Sequence, residues 1–236
     1  MSKKFIVGHL GRDVKEVDGK NGKFLSFPVA YEGYDKEAKK AVTRWVDVTM
    51  NTYGAGLIAK LGKGAAVAIL GNSGEREYTK DGQTMKAETL SVDNLSIGAS
   101  MFATYKDGDT TMAAAVGRLG KDAKVVEYND KSFVGFSLAA EMYNKEAKAN
   151  ETVWLDATVN RYGAGLPAAL TKGTQLAVSG IYVPAAGDKG AKLLVNSLAF
   201  FGNKKKEDPA TPAEQGAGVI GANADDSSFN DDDIPF

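Results

Sequence analysis

The chain has 236 residues, which is enough for two domains that each bury a core of their own. It has no cysteine and a single histidine, His9, which excludes disulfides and thiolate metal sites and argues against a zinc centre or histidine-based catalysis. The net charge of −1 hides an asymmetry: all 29 Lys and Arg lie before position 207, whereas eight of the 30 acids lie from Glu207 onward, so residues 1–206 carry a net +7.

In chain order, residues 4–17 read as a first strand interrupted at Gly8 and Gly11, followed by a turn at Asp18-Gly-Lys-Asn-Gly22. Phe24–Tyr31 alternates as a second strand with Leu25, Phe27 and Val29 inward. A polar, lysine-bearing loop over 33–42 leads into a third strand at Trp45. Its period of two puts Val46, Val48 and Met50 on the core face and Trp45, Asp47 and Thr49 on the other. Leu57, Ile58 and Leu61 then suit one face of a short helix, with Asn51 or Thr52 as its cap. Ala65–Gly71 is a fourth strand, Glu75–Lys86 a hairpin around Asp81-Gly82, and Ala87–Ile97 a fifth strand. Five strands with one helix between the third and fourth is the order of the OB-fold, a small Greek-key barrel.

The order then repeats. Trp45-Val-Asp-Val-Thr-Met-Asn-Thr-Tyr-Gly-Ala-Gly-Leu57 returns as Trp154-Leu-Asp-Ala-Thr-Val-Asn-Arg-Tyr-Gly-Ala-Gly-Leu166, an offset of 109. Gly8-His-Leu-Gly-Arg-Asp13 answers at the same offset to Gly117-Arg-Leu-Gly-Lys-Asp122. Leu95 matches Leu198, so six residues are missing from the last hairpin of the second copy, where length changes are cheap. The expected fold is mainly β: OB-fold 1 over 1–100, OB-fold 2 over 110–202, and a tail over 203–236 rich in Gly, Ala, Pro, Asn and acids, read as disordered. Pro167 sits just inside the second copy's helix. The link at 100–110 has no proline-rich or long flexible insert, so the barrels are expected to lie close together.

Trp45 and Trp154 share a face with an aspartate and a threonine, which places an aromatic at a part-exposed position twice. Two readings stand: packing against the other copy or another subunit, or a stacking platform for a flat ligand. A basic body with stacking aromatics fits single-stranded nucleic acid, which is held by base stacking and a cationic groove. The candidate stackers are Trp45, Trp154, Tyr34, Tyr143, Tyr78 and Tyr182, beside Lys36, Lys39, Arg76, Lys86, Lys145 and Lys148. Tyr53 and Tyr162 serve equally as helix anchors. Asp47 and Asp156 are the one duplicated acidic pair that a hydrolase could use, but neither has a second acid or a base partner at matched spacing. Gly54-Ala-Gly56 lacks the rest of any phosphate-cradling motif. No enzyme activity, cofactor or metal is expected.

The chain ends in Asp231-Asp-Asp-Ile-Pro-Phe236. With this tip, the Gly-x-Leu-Gly-x-Asp runs, the third-strand tryptophans and the Lys-Gly before the fourth strand, the sequence resembles the bacterial-type single-stranded DNA-binding proteins, cellular or phage. The resemblance covers nearly all of 1–202 as well as the tip, and the tandem pair is similar to the family's two-OB-fold branch. It implies a non-enzymatic protein that coats single-stranded DNA in replication, recombination and repair. It also implies a homodimer with four OB-folds, and recruitment of replication and repair enzymes through Asp231, Asp232, Asp233, Ile234, Pro235 and Phe236. The family is richer in tryptophan at its binding face, so the tyrosines would have to serve here. With no signal peptide and no long apolar run, the expected location is cytoplasmic, nucleoid or replication-associated. The rival reading is an OB-fold module for RNA or protein.

Overall fold

The computed structural model describes residues 2–19, 22–35, 37–51, 58–80, 82–128, 131–144, 146–160, 162–186, 190–201 and 219–221. The first barrel is built from β1 (Ser2–Leu10), β2 (Lys15–Gly19), β3 (Gly22–Asp35), β4 (Lys40–Asn51), β5 (Ala66–Lys80) and β6 (Gln83–Ser96). The sheet runs β1-β5-β6-β4-β3-β2 and closes through β1–β3 pairs at Gly8–Leu10. β4 and β6 meet in parallel, all other neighbours antiparallel. β1 and β2 together form the first of five barrel strands, so the expected five-stranded closed barrel is present.

The alternation of the sequence explains the core. Leu25, Phe27 and Val29 of β3 and Val46, Val48 and Met50 of β4 are buried, as are Ile6, Leu10, Val67 and Ile69. Gly8 does not interrupt β1. It is the crossing point of the barrel, where a Cβ would meet the carbonyl oxygen of Ala30 at 2.2 Å. Gly117 stands in the same relation to Ala139, also at 2.2 Å. The long hairpin of β5 and β6 turns at Gly82, whose φ of 76° lies in the left-handed region.

The second barrel repeats this with β8 (Thr110–Leu119), β9 (Lys124–Tyr128), β10 (Lys131–Asn144), β11 (Ala149–Val159), β12 (Gln175–Val183) and β13 (Ala191–Phe200). The predicted helix is present here as a single turn, α1 (Leu166–Ala169), with Pro167 at its start and Leu166 buried. Its counterpart in the first barrel falls mostly on 52–57, outside the described residues.

Two elements differ from the sequence reading. The link between the barrels is itself a strand, β7 (Met101–Asp107), hairpinned onto β8 through Gly108 at φ 57°. The second is β14 (Val219–Gly221), three residues of the segment read as disordered, which pair antiparallel with Ser197–Ala199 of β13. The parallel β11 ladder along β13 ends at Leu194, leaving backbone groups beyond it that an added strand can satisfy. The rest of the tail, including the tip, lies outside the described residues.

The barrels pack face to face. Val7 and Ala68 of the first cluster with Val116, Ala177, Ala199 and Phe201 of the second; Met101 belongs to the same cluster, and partly buried Phe5 and Ala66 pack against it. Val116 and Ala177 are the counterparts of Val7 and Ala68, so the same outer face of both copies is used. Gln175 adds a hydrogen bond to the Gly98 carbonyl at 3.1 Å.

The copies diverge beneath β7. In the first barrel Lys4 donates to Tyr31 Oη at 2.7 Å and to Glu88 at 2.5 Å, and Tyr31 donates to Glu88 at 2.7 Å. At the three corresponding positions the second barrel has Ala113, Ala140 and Ala191, all buried, and Phe102 of β7 fills the space edge-on against Tyr182 at 5.5 Å. The polar triad therefore stands where no β7 covers the barrel.

Burial opposes ionisation of both Lys4 and Glu88, but their mutual contact and the tyrosine outweigh it, so Lys4 titrates above and Glu88 below its ordinary value. Burial also pushes Tyr31 up. The Glu88 contribution to stability is present above its ordinary pKa of 4.5 and is lost as pH falls through the lower folded value. That of Lys4 is present below 10.5 and is lost as pH rises through its raised value. Glu88→Gln should therefore flatten the decline of the unfolding midpoint between about pH 5 and about pH 3. Parallel acid melts of the two proteins check this, and an unchanged slope would show that the triad carries no acid-side stability.

Candidate nucleic-acid interface

Trp45 and Trp154 lie at equivalent register, opposite Ala30 and Ala139 in the adjacent strands. They are the largest exposed apolar groups on their barrels, at 58% and 55%. Each ring is held from below by the second glycine of the Gly-x-Leu-Gly-x-Asp run. A Cβ on Gly11 would stand 2.4 Å from the Trp45 ring, and one on Gly120 2.6 Å from Trp154. The aspartate that follows anchors the same loop: Asp13 accepts from the Lys63 amide and Asp122 from the Lys172 amide, both at 2.7 Å. The motif thus fixes a tryptophan in place while leaving one of its faces to solvent. This preorganisation is what a stacking surface requires, because little side-chain freedom remains to be lost on binding.

The other predicted residues are distributed around these two. Tyr143 is exposed at 59%, on the arm of β10 that extends beyond the barrel. Tyr34 occupies the equivalent position in β3, opposite Ala41. Tyr78 is 38% exposed on the β5–β6 hairpin, beside Met85 in the opposite strand. Lys39 and Lys148 are exposed at equivalent loop corners, both with φ near 50°. Lys36 and Lys145 lie outside the described residues. Arg76 spans from the hairpin to the barrel face, donating to Asp47 at 2.7 Å. Lys86 pairs with Glu75 on the exposed hairpin at 3.3 Å. Tyr182 is placed differently: it is partly buried against the second core and Phe102, so its ring is occupied by packing. Tyr162 is an anchor, bonded to Ser132 through its hydroxyl at 2.7 Å.

Sequence reasoning missed the exposed apolar pair Val125 and Val126 on β9, at 49% and 42%. It also missed a cleft beside them, lined by Lys124, Phe133, Gly135, Ser137 and Asp156 among others. Phe133 shares the strand face of Gly135 and Ser137, yet it is buried. Among the described residues there is no cluster of His, Asp or Glu able to hold a metal ion. No described helix is long and apolar enough to cross a membrane.

No family model and no curated protein matches the sequence. Solved structures do. The small single-stranded DNA-binding protein from Streptomyces coelicolor is 20% identical with a TM-score of 0.35, over 41% of this chain and 93% of that one. The wild-type single-stranded DNA-binding protein from Thermus aquaticus is 17% identical with a TM-score of 0.33, over 90% of this chain and 97% of that one. A Plasmodium falciparum protein in complex with single-stranded DNA is 21% identical with a TM-score of 0.32, over 41% of this chain and 91% of that one.

Proposed function

We propose that this chain is a non-enzymatic, sequence-independent binder of single-stranded DNA. It coats and protects strands in replication, recombination and repair, and recruits partner enzymes through the segment Asp231–Phe236. The observation that carries the binding reading is the duplicated exposed tryptophan, held face-out by a glycine in each barrel. The cationic body supplies the phosphate term. Trp45, Trp154, Tyr34, Tyr143 and Tyr78 are the proposed stackers, with Lys36, Lys39, Arg76, Lys86, Lys145 and Lys148 as the cationic rim. Titration with oligo-dT should quench most of the tryptophan emission, because these are the only two tryptophans. Unchanged emission at saturating DNA would sink the stacking reading. Weaker binding of oligo-dT than of oligo-rU would favour the RNA alternative.

The proposed assembly is a homodimer. Lys106–Met101 of β7 pairs along Thr111–Val116 of β8, yet the corresponding edge of β1, Ser2–Val7, has no strand on that side among the described residues. An open edge is a template for another strand, and β1 of a second copy fits it with two-fold symmetry. Light scattering should report about twice the chain mass of 24.9 kDa. Pro substituted for Phe5, which removes a backbone donor on that edge, should shift the mass toward the monomer. A monomeric wild type that binds DNA tightly would rule the dimer out.

A further inference from the structure

The edge of β13 that receives β14 lies at the junction of the barrels. The parallel β11 ladder stops at Leu194, and β14 takes over three residues further on, pairing Ser197 with Gly221, Leu198 with Ile220 and Ala199 with Val219. Ala199 belongs to the apolar cluster shared by the two barrels. The Cα atoms of β14 also come within 8 Å of β3, in the first barrel. The first barrel has the same opening: its β4 ladder on β6 stops at Ser91, and Asn94–Ser96 carry no strand on that side among the described residues.

The sequence singles out the same three residues. Val219 and Ile220 are the only large aliphatic residues between Gly202 and Ser228. Both are strand formers, and no proline lies between Pro212 and Pro235. The chain leaves the second barrel at Phe201, two residues beyond Ala199, and a 17-residue connection over 202–218 brings it back to the same place. The entropy of closing a loop grows slowly with its length, so this return is allowed. The strand also divides the charge. Residues 202–218 hold Lys204, Lys205 and Lys206 against Glu207, Asp208 and Glu214, a net of zero. Residues 222–236 hold five acids, Asp225, Asp226, Asp231, Asp232 and Asp233, and no Lys or Arg.

We propose that Val219–Gly221 is an intrachain anchor: it docks on the β13 edge of its own chain and makes the acidic tip a short tether that starts at the barrel junction. Main-chain hydrogen bonds give strand addition its affinity, and an open edge offers the groups for them. Anchored at Gly221, the last 15 residues reach at most about 50 Å, against about 120 Å for the 35 that follow Phe201. The five acids are held near the second barrel as a result. Along β13, Ser197 lies six residues, about 20 Å, from Ala191, which opposes Leu155 beside Trp154. The anchored tip therefore reaches the Trp154 face, and release of the strand lets it range farther. Nothing in this docking requires a nucleic acid, so it stands or falls apart from the DNA-binding reading.

The test uses the full chain, whose lack of cysteine lets introduced pairs report alone. Directly opposed antiparallel residues have Cα atoms about 4.5–5.5 Å apart, within disulfide range. Under mild oxidation, Ser197→Cys with Gly221→Cys should close within one chain. It should do so at least about tenfold faster than Asn94→Cys with Gly221→Cys, the equivalent pair for the first barrel, because a docked pair has the higher effective concentration. Energy transfer from the tryptophans to an acceptor on Ser228→Cys supplies a second readout. It should fall when Val219→Pro and Ile220→Pro together remove backbone donors from the strand, and should hold in an Ala213→Pro control. Equal closure rates for the two cysteine pairs would overturn the anchor, and so would energy transfer that the paired prolines leave unchanged. A disulfide found between chains rather than within one would also overturn it, and would give the strand to a second copy.

Discussion

Replacing both tryptophans with alanine should cost about 2–6 kcal/mol of single-stranded DNA affinity, one stacking increment of about 1–3 kcal/mol for each ring. The two rings stand on β4 and β11, in different barrels, so the increments should add. At about 1.4 kcal/mol per tenfold, even the lower limit moves the dissociation constant more than tenfold. Folding should hardly change, because both rings are more than half exposed and neither belongs to a core cluster. Filter binding of Trp45→Ala, Trp154→Ala and the double variant, with a thermal melt of each, separates the outcomes. A large fall in stability with unaltered affinity would assign the tryptophans to packing or to a subunit interface.

Removing Phe236 should leave DNA affinity near wild type and abolish the capture of replication and repair enzymes from a cell extract. The argument is one of chemistry at the tip. Phe236 and Ile234 offer apolar area, Pro235 restricts the backbone between them, and Asp231, Asp232 and Asp233 steer the segment to a basic surface. An apolar pocket rimmed by Arg or Lys would hold it, and loss of the ring empties that pocket. The same acids can occupy the basic groove transiently. Deletion of the whole tail should therefore tighten DNA binding slightly at low salt, with less gain as screening rises. Capture that survives loss of Phe236 would reduce the tail to a charged solubiliser and move recruitment to the barrels.

Much of this was legible before any coordinates. The period of two along Phe24–Tyr31 and Trp45–Met50 determines which side chains are buried, because a strand has only two faces and one must leave water. The 109-residue offset determines that this happens twice, and the parity of Trp45 and Trp154 already places them outward. What the Gly-x-Leu-Gly-x-Asp run does was not legible. Its glycines answer to Ala30 and Ala139, and to the tryptophan rings, all distant in sequence, and only the closed barrel brings them within van der Waals distance. Tyr182 looked like a loop stacker because its neighbour Phe102 comes from a link that carried no strand signature strong enough to read. That link becomes β7 only because β8 presents an edge for it to pair with. The three alanines that replace Lys4, Tyr31 and Glu88 make sense on the same ground, since space and polarity at a barrel end depend on what covers it. The sequence by itself determined the strands, their faces and the duplication, since these follow from local periodicity. The tertiary structure alone decided which edges are covered, that Arg76 reaches Asp47 and where the copies cease to be equivalent, because those depend on contacts between residues far apart in the chain.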